Sequence, residues 1–237
     1  MTPAFLPTRA DGMERLDEMH HDPRELRLNI HHLAGVNRWL GGERSIMAHV
    51  RRYVGTSSGE VTRVVDVGTG GAGLPHNIAK FFTRSSLQAV VYALDRQFAV
   101  ASIASERTNG ASRIRIVVAD GMSIPMPDDA VDLAISSTTL HHLSTEDAVR
   151  FVGELARVGR KLVIVGDLDR NALALVSAHV LARTWWRRSS YRFDGPLSVR
   201  KAFTRSELLQ VGTEAGLRSP KVHRHFPFRL ALVGSPS

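Results

Sequence analysis

The residues best placed to do chemistry cluster first in the stretch from Val61 to Pro75, VTRVVDVGTGGAGLP. A hydrophobic run carries Asp66 near its end and gives way to Gly68, Gly70, Gly71 and Gly73. Bare backbone at these positions lets a polar ligand approach closely, and a helix restarting at Leu74 would aim its unpaired amides and positive dipole end at that ligand. Pro75 suits the first helical turn, where its missing N–H costs nothing. The spacing Gly68-x-Gly70-x-x-Gly73, with Asp95 downstream, matches a dinucleotide fingerprint, so this motif alone permits NAD.

Asp66 shifts the balance. In a dinucleotide site the pyrophosphate lies over the glycine loop, and a carboxylate two residues before it is unhelpful. A ligand with an ammonium, a sulfonium and no phosphate, such as S-adenosylmethionine, would welcome it. Asp95 can accept both ribose hydroxyls with either ligand and does not discriminate. Asp120-Gly121 suits an acceptor for an adenine amino group. Further on stand His141 and His142, and then Asp167. Histidine has a suitable pKa to take a proton from a phenol or hydroxyl near neutrality, and a neighbouring carboxylate could orient it and stabilise its imidazolium. Of the pair, His141 is favoured; the alternative is that the two histidines serve packing at a helix start.

These groups need elements to position them. Strands are expected over Val61–Val67, Gln88–Leu94, Arg113–Ala119, Leu133–Ser137 and Lys161–Val165, alternating with helices at a spacing that implies a parallel sheet covered on both faces. Each strand delivers a polar residue at its carboxyl end (Asp66, Asp95, Asp120, the His141-His142 pair, Asp167), the edge where open α/β sheets bind ligands. Ser144 to Asp147 and Thr204 to Glu207 read as capping boxes. Residues 189–203 read as a loop, and Lys221–His225 and Phe228–Val233 as final strands joined tightly at Pro227. Before the first strand, Asp22-Pro23 opens a helix with Leu26, Ile30, Leu33 and Leu40 near one face, stopped at Gly41-Gly42. A second helix carries Ile46, Val50 and Val54. This N-terminal addition could cover the ligand edge as a lid or pack on the outside of the core.

The chain has 237 residues, 43% hydrophobic and 23% charged, without cysteine and with a net charge of +8. One globular domain fits this size. Absent cysteine excludes disulfides, thiolate metal sites and a Cys nucleophile. The N-terminus, acidic and broken by prolines, does not read as a signal peptide, and Ala172–Ala182 is too short to span a bilayer, so a cytoplasmic location is expected. The arginine-rich charge suits either a solvated surface or an anionic partner. The histidine pairs 20–21, 31–32 and 141–142 make a poor metal site, because adjacent residues do not share one helix face, and no metal is expected. Trp185 and Trp186, with Arg183, Arg187, Arg188 and Arg192, could line an acceptor pocket, touch a membrane or nucleic acid, or pack on the sheet's flank.

Taken together, VVDVGTGGAG, the strand ending at Asp95, Asp120-Gly121 and IPMPDDAVDLAISSTTLHHL resemble the class I S-adenosylmethionine-dependent methyltransferases. The similarity is to the small-molecule branch that includes ubiquinone- and menaquinone-biosynthesis-type enzymes (methyltransferase type 11), over about residues 61–168. The resemblance implies a Rossmann-like, seven-stranded, mostly parallel sheet with helices on both faces. It also implies an N-terminal helical extension over 1–57 and a methyltransferase domain over 58–237. The implied cofactor contacts are Asp66, Gly68, Thr69, Gly70, Gly71, Gly73, Asp95, Arg96, Asp120, Gly121, Met122 and Ser137, with Asp66 holding the methionine amino group. The third family glycine often falls where this chain has Ala72. The implied reaction is methylation of a small molecule, preferentially O-methylation of a phenolic or polyketide-like acceptor, with His141, His142 and Asp167 as catalytic candidates. Alternatives are a nucleic-acid methyltransferase and a non-catalytic cofactor-binding module. The nucleic-acid reading is weakened by Ser136-Ser137-Thr138-Thr139 where exocyclic-amine methylation uses an Asn/Asp-Pro-Pro-aromatic tetrad. Oligomeric state stays open, a homodimer included.

Overall fold

The computed structural model describes residues 8–12, 23–54, 61–109, 111–184 and 191–236. Five strands run parallel: β1 (Thr62–Val67), β2 (Ala89–Asp95), β3 (Ile114–Val118), β4 (Val131–Ser137) and β5 (Gly159–Leu168). β6 (Arg218–His225) and β7 (Arg229–Ser235) complete the sheet in the order β3-β2-β1-β4-β5-β7-β6, with β7 antiparallel to both neighbours. This is the Rossmann-like, mostly parallel seven-stranded sheet that the resemblance implied. The strand order reverses between β1 and β4, so a crevice opens at their carboxyl ends.

Alternation along the buried strands sorts the core into two layers. On one face Val64, Val91, Leu133, Ile135 and Ile164 pack against α2 (Gly42–Val54) and α3 (Gly73–Arg84), through Ile46, Met47, Val50, Ile78 and Phe82. On the other face Val65, Val67, Ala134, Val163 and Val165 meet α5 (Thr145–Val158) and α8 (Arg205–Glu214). The N-terminal helices divide the two roles open to them. α2 lies in the core layer, with Ile46 and Val50 fully buried. α1 (Pro23–Trp39) sets Leu26 and Ile30 against Val100 and Ile103 of α4 (Phe98–Arg107).

Three local expectations need correction. Residues 189–203 read as a loop, but after α6 (Ala172–Arg183) the helix α7 (Tyr191–Lys201) runs through Gly195-Pro196. The α6–α7 hairpin buries Ala174 and Ala178 against Val199, and this packing overrides the missing proline N–H. At the start of α5, Ser144 Oγ accepts from Asp147 N at 3.0 Å, but Asp147 turns to Arg150 instead of reaching back. The longer Glu207 side chain does reach back to Thr204 N, at 2.8 Å, and closes a true box. β5 extends on both sides of the expected Lys161–Val165. His20, His21, Asp22, Trp185, Trp186, Arg187 and Arg188 lie outside the described residues. Among those described, no helix is long and apolar enough to cross a membrane.

α2 is pinned to the sheet edge by histidines: His49 Nε2 lies 3.0 Å from His225 Nε2, and its ring centroid is 4.8 Å from that of His223. Burial, then the charges of His223, His225 and Arg52, push His49 down to about 4, and His225 is lowered by burial and by His223. An unfolded histidine takes up its proton near pH ~6.5. Protons therefore bind the unfolded chain first, and stability is lost as pH falls from about 6.5 toward 4. Melting temperature against pH should show this decline, and His49→Gln should flatten it; an unchanged acid slope in the variant would contradict the assignment.

Candidate active site

A cavity of about 750 Å³ occupies the crevice at the carboxyl ends of the parallel strands. Its sheet side is formed by Gly68 and Gly70 after β1, Asp95 and Arg96 after β2, Asp120, Gly121 and Met122 after β3, and His141 and His142 after β4. Its roof is largely apolar: Leu26, Ile30 and Leu40 from the α1 region, Ala174, Ala178 and Leu181 from α6, Val199 from α7, and Phe228. Of the residues expected to form the site, Asp66, Thr69, Gly71, Gly73, Ser137 and Asp167 are not part of this lining. Arg183 and Arg192 are also absent from it.

The loop is shaped by backbone demands and by Asp95. Gly68 has φ 74°, and a Cβ there would stand 2.5 Å from Thr139 Oγ1, so only glycine fits. Asp95 Oδ2 accepts from Gly70 N at 3.0 Å and Oδ1 from Gln97 N at 3.0 Å. The space above Gly70 is open: a Cβ there would meet nothing within 4 Å. Gly71 and Gly73 have another reason to be glycine. A Cβ at Gly71 would meet Ile30 Cγ2 at 2.6 Å and one at Gly73 would meet Glu43 Oε1 at 2.8 Å, so both lie under the N-terminal helices. Ala72 takes the left-handed conformation that glycine favours, with φ 54°.

Asp66 lies buried beneath the loop, where its Oδ2 accepts from Thr69 Oγ1 at 2.7 Å. Its Oδ1 is buried without a hydrogen-bond partner. Burial, reinforced by the charges of Asp95 and Glu43 and opposed by the Thr69 bond, raises this carboxyl to about 7. Burial likewise raises Asp95 and Glu43. Three carboxyls thus converge on one loop. An orphaned carboxylate oxygen under open backbone fits a ligand that brings a cationic donor, and it does not fit a pyrophosphate. The loop and its acids therefore suit the sulfonium cofactor that the sequence resemblance implied. At the third strand end, Asp120 Oδ1 accepts from Met122 N at 2.9 Å. A Cβ on Gly121 would strike Phe151 and Val67 at 2.6 and 2.7 Å.

After β4 a short 3-10 turn, Leu140–His142, separates the two histidines. His141 is 3% exposed and His142 is exposed, with ring centroids 4.1 Å apart. Asp167, 1% exposed at the end of β5, receives His141 Nδ1–H on Oδ1 at 2.7 Å and His141 N on Oδ2 at 2.9 Å. Burial works to raise the Asp167 carboxyl, but the charge and hydrogen bond of His141, with the amides of Leu168 and His141, outweigh it and hold the group below its ordinary value. An ionised Asp167 holds a hydrogen on Nδ1, so in the neutral form of the ring the lone pair lies on Nε2.

Sequence reasoning missed two charged residues beside these groups. Arg229 lines the cavity because β7 runs antiparallel: its first residue lies at the edge where the parallel strands end, paired in register with Leu168. Reading polar residues only at carboxyl ends overlooks it. Glu43 reaches the start of α3 from α2 and accepts from Asn77 Nδ2. Only the three-dimensional docking of α2 brings it there.

Residues 65–165 match the family model described as a methyltransferase domain. No curated protein matches the chain. Among solved structures, an S-adenosylmethionine-dependent methyltransferase from Aquifex aeolicus is 20% identical, with a TM-score of 0.66 over 92% of this chain and 100% of that one. An S-adenosylmethionine-dependent methyltransferase assigned as such in Methanococcus maripaludis is 18% identical, with a TM-score of 0.64 over 93% and 98%. Magnesium protoporphyrin IX methyltransferase from Synechocystis, with bound S-adenosylhomocysteine, is 16% identical, with a TM-score of 0.57 over 83% and 84%. At these identities the likeness establishes a shared fold.

The Asp66 environment has a measurable consequence. An unfolded aspartate ionises near pH ~3.9. With the folded group at about 7, ionisation penalises the native state increasingly as pH rises from about 4 to 7, and fully above that. The stability of Asp66→Asn relative to the parent should therefore increase across this interval and level off above pH 7, read by denaturant titration. A difference that stays constant with pH would contradict the raised pKa.

Proposed function

We propose that this chain, whose residues 65–165 match a methyltransferase domain, is an S-adenosylmethionine-dependent enzyme that methylates an oxygen of a small phenolic or polyketide-like acceptor in the cytoplasm, with His141 as general base. The observation that carries the proposal is the buried Asp167–His141 hydrogen bond at the wall of an apolar-roofed cavity. The cofactor, when bound, supplies a methyl group activated by a sulfonium and departs as a neutral thioether. Asp66 and Asp95 are the groups to hold its ammonium and ribose, with Gly68 and Gly70 beneath it. The surrounding contacts come from Thr69, Gly71, Gly73, Arg96, Asp120, Gly121, Met122 and Ser137, either directly or by shaping the wall.

For the acceptor, the chain's task is orientation and removal of one proton. His141 Nε2 takes the proton of the acceptor hydroxyl as its oxygen bonds to the methyl carbon. The resulting imidazolium is stabilised by Asp167 through Nδ1–H, in the manner of other oriented base pairs. His142, exposed on the same wall, contacts the acceptor rather than its proton. α1, α6 and α7 roof the site, which favours a small apolar acceptor over a nucleic acid and makes α1 the part of the N-terminal extension (1–57) that covers domain 58–237.

The test compares turnover on the fastest acceptor from a panel of phenols and polyketide-like enols. His141→Ala should lower kcat by about 10²–10⁴-fold while S-adenosylhomocysteine affinity stays within about two-fold. Asp167→Asn, which disturbs the tautomer, should also lower kcat, and His142→Ala should act mainly on acceptor KM. Full turnover in His141→Ala would retire the base.

A further inference from the structure

Arg229 is 2% exposed and lines the cavity. Its Nε donates to Leu40 O at 3.0 Å and its Nη2 to Asn37 Oδ1 at 3.4 Å, whereas Nη1 is buried without a hydrogen-bond partner. A buried cation is costly unless a carboxylate compensates it. The acid that attracts Arg229 is Asp167, yet both Asp167 oxygens already serve other donors: Oδ1 accepts from His141 Nδ1 and Leu168 N, and Oδ2 from His141 N. Burial therefore lowers the Arg229 pKa, to about 10, against the pull of Asp167. The residue remains a cation at neutral pH. Its neutral tethers to Leu40 and Asn37 hold the head in place and leave one edge of the fork unmatched.

We infer that Arg229 is a specificity residue that anchors a carboxylate carried by the methyl acceptor, so that the substrate is a small apolar acid. This deepens the reading above and rests on it: the acid group docks at Arg229 while a separate hydroxyl faces His141 on the same cavity wall. The apolar body of such an acid has matching surface in Ala174, Ala178, Leu181, Val199 and Phe228. Arginine suits the role because its planar fork matches a carboxylate, and the match is strong in a desolvated site. The antiparallel turn of β7 supplies this cation to an edge that the parallel strands furnish mainly with acids and histidines.

The test uses the full chain saturated with S-adenosylhomocysteine, and titrates benzoate, salicylate and naphthoate against their uncharged carboxamides by calorimetry. The parent should bind at least one acid about ten-fold or more tightly than its amide. In Arg229→Gln that preference should fall to within about two-fold, with S-adenosylhomocysteine affinity kept. Arg229→Lys, which keeps the charge and loses the fork, should show an intermediate preference, and it carries the test if the glutamine variant does not fold. Equal binding of acids and amides by the parent, no binding of any acid, or a preference that survives in the variants would overturn the anchor. Failure of S-adenosylhomocysteine itself to bind would instead sink the methyltransferase reading on which the anchor rests.

Discussion

The buried carboxylate of Asp167 is the point on which the site's arrangement depends. It sits at the end of β5 and draws in the backbone and ring of His141, which follows β4, together with the amide of Leu168. These donors keep it ionised against the cost of burial. One anion thereby joins two strand ends, fixes an imidazole and attracts the Arg229 charge that β7 brings to the same edge. Removing it would leave a ring and two amides without their common acceptor and a guanidinium without the charge that attracts it, so its contributions to geometry and to chemistry are hard to separate.

Around this anchor the molecule retains local disfavour that folding alone would not select. Asp66 Oδ1 and Arg229 Nη1 are buried without partners, and Ala72 holds a left-handed backbone conformation. The core elsewhere is conventionally packed, with two apolar layers on either side of the sheet. The unmatched atoms of Asp66, beneath the glycine loop, and of Arg229, in the cavity lining, are of opposite charge, and such disfavour persists where a ligand is bound. The stability supplied by the two layers tolerates them.

Much of this was legible in the sequence for simple reasons. Buried parallel strands announce themselves as continuous apolar runs, and the polar residue ending each run marks the ligand edge, so Asp66, Asp95, Asp120, His141 and Asp167 could be placed in advance. What stayed hidden depends on direction or docking. Arg229 opens an antiparallel strand, and a run of apolar residues does not reveal which way it points. Gly71 and Gly73 also accommodate Ile30 and Glu43 from the N-terminal helices, a packing demand that no local pattern announces. α7 was obscured by Gly195-Pro196, because local propensity gives way when a helix can bury a face such as that of Val199 against a neighbour. The two roles open to the N-terminal helices were divided between them: α2 joined the core and α1 the roof.

The role proposed for the glycine loop and Asp66 is to receive the ammonium end of a sulfonium cofactor. Calorimetric titration of S-adenosylhomocysteine near pH 6.5, repeated in buffers of different ionisation enthalpy, tests it most directly. With Asp66 at about 7 in the empty protein, pairing with the ligand's ammonium lowers its pKa. One-to-one binding should therefore release a fraction of a proton, and Asp66→Asn should abolish that release. No binding, or binding with the same proton balance in parent and variant, would contradict the account.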